Sequence, residues 1–403
     1  MTNESLINCS WAQMFSDRTN WKLTRNRLTR ALDEARASGA RVLDLTLSNP
    51  TRAGLRYDEP RILQSLASPR AMDYDPQPKG LTGARAAVAE YYKTAHEIRD
   101  LDPDRLILTT STSEGYSFVF RLLCNPGDEL LVPKPSYPLF EFLADLEDVK
   151  LVPYPLIYDH GWQMDFPSLE KVVTRRTRGV VVVHPNNPTG SYVHPQEQES
   201  LNRFCGGHGL ALIADEVFLD YAHNRARQRS FAANYDVLTF TLSGVSKISA
   251  LPQMKVAWIA TSGPAPEVEA AQARLEVIAD TYLSMNAPIQ WALPALLEQR
   301  QSIQQQLMDR VLANLAELDR QLTAQKTCQR LTVEGGWYAV LRVPVTQTDE
   351  ELAVDLLRRK SVLVHPGHFY DFPRDGYLVL SLITRAEFTE GIGRLLELLI
   401  ADC

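Results

Sequence analysis

The sequence predicts an α/β protein: a large domain on a mostly parallel central sheet flanked by helices, joined to a smaller α+β domain. Three observations point there. From about residue 80, apolar segments of strand length alternate with stretches of helical periodicity. Several of those segments are continuously apolar, such as the four valines at 180–183, as strands covered by helices on both faces are. After Asn286 the character changes to a long run rich in Leu, Ala, Gln and Glu, followed by short strands alternating with helices.

In chain order, the periodicity predicts a helix from Asn20 to Ser38, with Trp21, Leu28, Leu32 and Ala35 on one side and Gly39 as its stop. A strand follows from Val42 to Leu47. The large domain takes its strands from Leu106–Thr110, Glu129–Val132, Val180–His184, Leu210–Ala214, Val237–Thr241 and Val256–Ala260. Gln290 to about Gln325 reads as one long or kinked helix leading out of it. The small domain adds strands at Tyr338–Val343, Val362–His365 and Tyr377–Leu382, with helices at Asp349–Arg359 and Arg385–Ile400. The expected division is 54–288 for the large domain, with 1–53 and 289–403 forming the small one.

Composition narrows the function. A chain of 403 residues, 45% apolar and 23% charged, has ample material for a buried core and no low-complexity bias. The 42 Lys and Arg against 49 Asp and Glu give a net charge of −7 with no basic block, which argues against nucleic acid as a partner. No apolar run is long enough for a membrane span. Cys9, Cys124, Cys205, Cys328 and Cys403 lie far apart without a C-x-x-C pair, suggesting neither a disulfide framework nor a metal site. The opening MTNESLINCSWAQMF lacks a charged leader followed by a continuous apolar stretch, so a cytoplasmic protein is expected.

The chemistry gathers just after predicted strands, at the edge where open α/β sheets bind ligands. Ser111, Thr112, Ser113 and Glu114 have the S-x-x-E spacing of a capping box, an ordinary helix start that also offers backbone N–H groups to an anion. The string HPNNPTG, His184 to Gly190, is a turn stiffened by two prolines that can aim the amides of Asn186 and Asn187. Asp215 closes an apolar strand, where a carboxylate needs either an ion-pair partner or a protonated ring nitrogen. Lys247, among the small residues of SGVSKISALPQMK, is either a solvated loop lysine or a desolvated one able to form a Schiff base.

Taken together, HPNNPTG, the Asp-Glu-Val at 215–217, Lys247 after Ser246, and PGDELLVPKPSY ending at Tyr137 resemble the fold-type I pyridoxal-phosphate enzymes, specifically the class I/II aminotransferases. The match runs in order from about Leu47 to Leu396. The resemblance implies pyridoxal 5'-phosphate as cofactor, held by Lys247 as a Schiff base, and amino-group transfer between an amino acid and a 2-oxo acid. It further implies that Asp215 pairs with the pyridine nitrogen, Asn187 bonds the ring hydroxyl and Tyr137 stacks on the ring. Thr112 and Ser113 match phosphate-binding positions, and Ser246 and Lys255 fall at cofactor contacts. Tyr74, in YDPQPKGLTGAR, resembles the tyrosine that reaches the phosphate of the neighbouring subunit, which implies a homodimer with shared sites.

Four positions depart from that pattern. Phe218 stands where a tyrosine usually contacts the ring oxygen, leaving Tyr221 as a possible substitute and predicting a raised Schiff-base pKa. Lys255 replaces an arginine, and Gly244 a phosphate-binding serine. In GYLVLSLITR, Val379 occupies the place of the arginine that binds the substrate carboxylate. Arg385 is the first substitute, ahead of Arg374 and the segment near Asn49 and Pro50. Trp337 and Tyr338, after Gly335 and Gly336, read either as a pocket mouth or as buried hairpin aromatics. His365 and His368 have no carboxylate or thiol partner in sequence and are not read as metal ligands. Two rival functions share the fold: a lyase or decarboxylase using the same lysine, and a cofactor-binding regulator without turnover.

Overall fold

Eight strands form the central sheet, in the spatial order β2-β9-β8-β7-β6-β3-β4-β5. Their ranges are β2 Leu106–Thr109, β3 Glu129–Lys134, β4 Lys150–Tyr158, β5 Trp162–Met164, β6 Thr177–Val183, β7 Ala211–Asp215, β8 Thr239–Gly244 and β9 Ala257–Ser262, after a short β1, Leu43–Asp44. The computed structural model describes residues 14–21, 23–137, 140–225 and 228–401. Cys9, Cys403 and most of the opening segment fall outside those residues.

Strand direction puts the chemistry on one edge. β4, β3, β6, β7 and β8 are mutually parallel, while β9 runs antiparallel to both β8 and β2. Two reversals bring β2 back into the common direction, so the turns after β2, β6, β7 and β8 all leave from the same side. Helices cover both faces, which is why Val180–Val183 of β6 and Ala211–Ala214 of β7 are continuous buried apolar runs. One cluster packs Val119 and Leu275 against Ile107 and Ile213, and another packs Leu201 and Phe204 against Val180 and Leu212.

The second layer is a four-stranded antiparallel sheet, β10 (Gln329–Arg330), β11 (Tyr338–Arg342), β14 (Tyr377–Ser381) and β13 (His365–Pro366), with β1 paired in parallel to β12 (Val362–Leu363). The helix Arg27–Ala37 packs on Asp349–Lys360, placing the N-terminal segment with this smaller sheet.

Several boundaries differ from the sequence reading. The first helix starts at Arg27, because Asn26 caps it by accepting from Thr29 N at 2.7 Å. Trp21 lies outside it: its Nε1 donates to Asp145 Oδ2 at 2.8 Å and its ring meets Phe142 edge-on. The long helical run is two helices, Ala287–Glu298 and Arg300–Leu322, meeting at Gln299. The first buries Ile289, Leu293 and Leu296 with Val88, Tyr92 and Trp258 of the large domain, so packing with the big sheet continues past residue 288. Leu307 and Val311 of the second belong to the small-domain core.

Candidate functional site

Lys247 stands in the four-residue helix Val245–Ile248 that follows β8 directly. Its backbone oxygen accepts a hydrogen bond from Tyr221 Oη at 2.6 Å, which anchors the base of the side chain. Its Nζ lies 5.4 Å from the Phe218 ring centroid and 5.0 Å from that of Trp337. These rings favour the ammonium form, while removal from water opposes it. Burial dominates and brings the amine down to about 8, with the Asp215 carboxylate pulling the other way. A lysine with that acidity has a usable fraction of neutral amine near neutral pH.

Asp215 closes β7, the neighbouring strand. Burial pushes its carboxyl up to about 6, against the stabilising Val217 N–H, the Tyr116 hydroxyl and the Lys247 charge. Oδ1 accepts from Val217 N and Oδ2 from Tyr116 Oη, each at 3.1 Å. Glu216 turns away, accepting from Ser230 Oγ at 2.7 Å and Phe231 N at 2.5 Å, and burial raises it to about 7. The adjacent acids thus have separate work: one meets the site, the other ties down the 230–231 segment.

The HPNNPTG turn separates its two asparagines in the same way. Asn186 is tied into the fold by its Nδ2, which donates to Pro135 O, and by its backbone N–H, which donates to Ser191 O, while its own Oδ1 is buried without a partner among the described residues. Asn187 has a buried Oδ1 with no partner, among the described residues. His184 is structural: its ring lies between Val193 N and Arg229 O, and burial lowers it to about 4, leaving it neutral. Tyr137, 40% exposed, stands over the same region, and its phenol is raised by burial and by the Asp215 charge.

After β2, the helix Thr112–Leu123 begins with Ser111 Oγ accepting from Glu114 N at 3.2 Å. Glu114 reaches back to Thr110 N at 2.6 Å, one residue before the position a standard capping box uses. Thr112 and Ser113 occupy the first turn, whose N–H groups have no intrahelical acceptor. Ser246 sits beside Lys247, half-buried. Lys255 is exposed and left-handed at φ 51°, with no ion-pair partner among the described residues. Gly244 has a steric reason: a Cβ there would lie 2.8 Å from Ala257 Cβ and 2.9 Å from Val256 O.

The aromatic wall was only half expected. Trp337 is fully buried, packed edge-on against Phe218 and Tyr221 as well as facing Lys247. Tyr221 does not replace the hydroxyl absent from Phe218, because its own is committed to the Lys247 carbonyl. Tyr116 carried no sequence signal beyond a helical position. The wall is keyed to the HPNNPTG turn by two glycines: a Cβ on Gly190, at φ 69°, would meet Gly335 O, and one on Gly335 would meet Tyr192 Oη and Tyr221 O.

Other expected residues stand apart. Val379 is buried in β14, between Val340 and His365. Arg385 rests its guanidinium on Gly54 next to Arg310, with no carboxylate partner among the described residues and no contact to Lys247. Asn49 caps the turn at Thr51, accepting from its N–H at 3.0 Å. Arg374 and Tyr74 are exposed, Tyr74 at 84%. His365 Nδ1 is 3.0 Å from Tyr370 Oη, and no cluster of metal-ligating residues occurs among the described residues.

This donor set fits a phosphorylated aromatic aldehyde: an enclosed amine to condense with the carbonyl, a buried carboxylate, an unpartnered amide and a helix start on one sheet edge. Comparison with known proteins agrees. The family model described as Aminotransferase class I and II matches residues 61–395. Alanine aminotransferase of Mycobacterium tuberculosis is 28% identical over 354 residues, covering 85% of this chain and 82% of that protein. Glutamate-pyruvate aminotransferase AlaA of Escherichia coli is 31% identical over 267 residues, 66% of this chain and 65% of that one. Among solved structures, an aminotransferase from Escherichia coli superposes with a TM-score of 0.85 at 25% identity, covering 96% of this chain and 98% of that chain. Alanine aminotransferase from Pyrococcus furiosus has the same fold, with a TM-score of 0.88 at 22% identity over 96% of this chain and all of that one.

Proposed function

The chain belongs to the class I and II aminotransferases, pyridoxal-phosphate enzymes that move an amino group between an amino acid and a 2-oxo acid, and from that premise we propose that Lys247 is its catalytic base and cofactor anchor. The observation that carries this assignment is the enclosed Lys247 amine beside Phe218 and Trp337, with the Asp215 carboxylate on the adjacent strand. Bound pyridoxal phosphate supplies an electron sink that makes the Cα proton of an amino acid removable.

In this reading Lys247 Nζ would hold the cofactor and, once free of it, would serve as the base that takes the Cα proton of the amino acid. Asp215 faces the ring nitrogen and keeps it protonated through a charge-assisted hydrogen bond. Asn187 bonds the ring hydroxyl through the side chain that the fold leaves uncommitted. Tyr137 covers one ring face, and Phe218 and Trp337 exclude water from the amine. Thr112 and Ser113 take the phosphate at the helix start, with Ser246 and Lys255 adding a hydroxyl and a charge.

Asn49 and Arg385 are the proposed substrate-side groups; in support, Arg385 has no acid partner among the described residues. The relatives' names make alanine, glutamate and pyruvate the first substrates to test. Tyr74 at 84% exposure and Met72 at 88% favour a homodimer in which Tyr74 reaches the partner's phosphate site. A cytoplasmic location is proposed from the cysteine spacing, and no helix among the described residues is long and apolar enough to cross a membrane. Borohydride reduction of the cofactor-loaded enzyme, followed by peptide mass spectrometry, tests the assignment: the pyridoxyl mass belongs on Lys247, and its appearance on another lysine overturns it.

A further inference from the structure

We propose that Tyr116 is a positioning residue for this reaction: its phenol donates to Asp215 Oδ2 and keeps that carboxylate ionised where the cofactor ring nitrogen must meet it. The inference rests on the reading in which Asp215 faces that nitrogen.

The helix Thr112–Leu123 presents Tyr116 one turn after Thr112 and Ser113, hence on the same side as its phosphate-facing start. Gly115 lets the helix lie close to the sheet, since a Cβ there would already be 3.1 Å from Leu242 and 3.4 Å from Ile259. That approach brings a phenol from a covering helix to the end of β7, 3.1 Å from Asp215 Oδ2. The ring is fixed edge-on by Phe140 at 5.2 Å and Phe120 at 5.8 Å between centroids, and only 3% of the residue is exposed. With burial this complete the hydroxyl stays neutral, its own ionisation pushed far up by enclosure and by the Asp215 charge.

Asp215 needs the donor. A buried carboxylate with too few hydrogen bonds takes up a proton rather than staying charged. Among the described residues its other donor is Val217 N–H, at 3.1 Å. Among the described residues the titratable groups around it are Lys247, the nearby cation, the neutral phenols of Tyr116 and Tyr137, and Glu216, which is held instead by Ser230 Oγ and Phe231 N. Lys247 offers its charge only while its amine is free and protonated. The Tyr116 hydroxyl is present throughout.

The test titrates pyridoxal phosphate into the full-length apoprotein from pH 6 to pH 9 and reads the dissociation constant by equilibrium dialysis. Tyr116→Phe removes the hydroxyl and keeps the ring. A hydrogen bond to a charged group corresponds to about a tenfold change in the Asp215 protonation constant. The variant should therefore bind within twofold of wild type at pH 9 and about five- to tenfold more weakly at pH 6. The ratio cancels the titration of Lys247, which both proteins share. A ratio of one throughout, or a loss that does not change with pH, overturns the proposal. Replacing Tyr116 by 3-fluorotyrosine, a stronger donor, should move the pH dependence the opposite way; no movement also counts against it. Asp215→Asn separates the two levels. If that variant binds like wild type at every pH, the reading of Asp215 itself fails; if it binds weakly while Tyr116→Phe is unaffected, only the role of Tyr116 fails.

Discussion

Tyr221 donates its phenol to the backbone carbonyl of Lys247 at 2.6 Å, and Trp337 packs against both side chains. The bond ties the loop after β7 to the short helix after β8, so the position of the amine is set through its main chain. Tyr221→Phe removes one bond from a carbonyl that still accepts from Ala250 N at 3.1 Å, and should lower the unfolding free energy of the apoprotein by about 0.5–1.5 kcal/mol. Urea denaturation measures this, and a midpoint equal to wild type would show the bond to be energetically idle.

With Lys247 as the proposed cofactor anchor, the acidity of its amine would set the pH dependence of cofactor capture. Burial lowers the amine to about 8, so the reactive neutral form accumulates through that pH rather than near the ordinary lysine value. The second-order rate of pyridoxal phosphate uptake by apoprotein, followed by absorbance, should rise with a midpoint near 8. Trp337→Leu removes one of the two rings favouring the ammonium and should move the midpoint lower by a few tenths to one unit.

Phe218 brings a hydrocarbon face, 5.4 Å from Lys247 Nζ, where the family resemblance leads to the expectation of a phenol. Restoring the hydroxyl as Phe218→Tyr adds a donor that favours the deprotonated form of the lysine–cofactor linkage. The pH at which the visible absorbance of the loaded protein changes should fall by about one unit. An unchanged spectral titration would sink the idea that the missing hydroxyl matters.

Glu216 makes stability fall with rising pH. Its carboxyl is raised from 4.5 to about 7 by burial, so the folded chain holds a proton that the unfolded chain has lost. The stabilisation is complete below the unfolded value and disappears as pH rises through about 7. Glu216→Gln removes this dependence, so its unfolding free energy relative to wild type should increase by about 2–3 kcal/mol between pH 4.5 and 7.5. Parallel curves for the two proteins would exclude the mechanism.

Gly244→Ser looks like a route to a better phosphate site, yet a side chain there collides with Ala257 and Val256 across the β8–β9 pair. The variant should lose about 1–3 kcal/mol of stability, with weaker rather than stronger cofactor binding. Thermal unfolding and cofactor titration together check it.

The parts of the fold legible in the sequence were those with strong local signals. The buried strands leading to HPNNPTG, Asp215 and Lys247 are continuous apolar runs followed by unusual polar residues, and the structure keeps all three on one sheet edge. β4 and β5 were missed because Pro153 and Pro155 interrupt the first and three residues make up the second, both at the margin of the sheet. The helix Arg27–Ala37 was drawn too long because apolar spacing continued upstream, while the Asn26 cap decided where it starts. Within the site, Trp337 meets Lys247 across 90 positions and Tyr116 meets Asp215 across 99, and neither pairing has a sequence spacing to betray it. Single-residue chemistry could be read; the partners supplied by packing could not.

The interlocked Gly190 and Gly335 make the HPNNPTG turn and the aromatic hairpin a single mechanical piece, with no room for a side chain on either side of the joint. Any attempt to widen or reshape the specificity of this enzyme by enlarging those two positions would dislodge the asparagine loop and the tryptophan together. Redesign is therefore confined to residues such as Trp337 and Tyr338, which project from the joint without forming it.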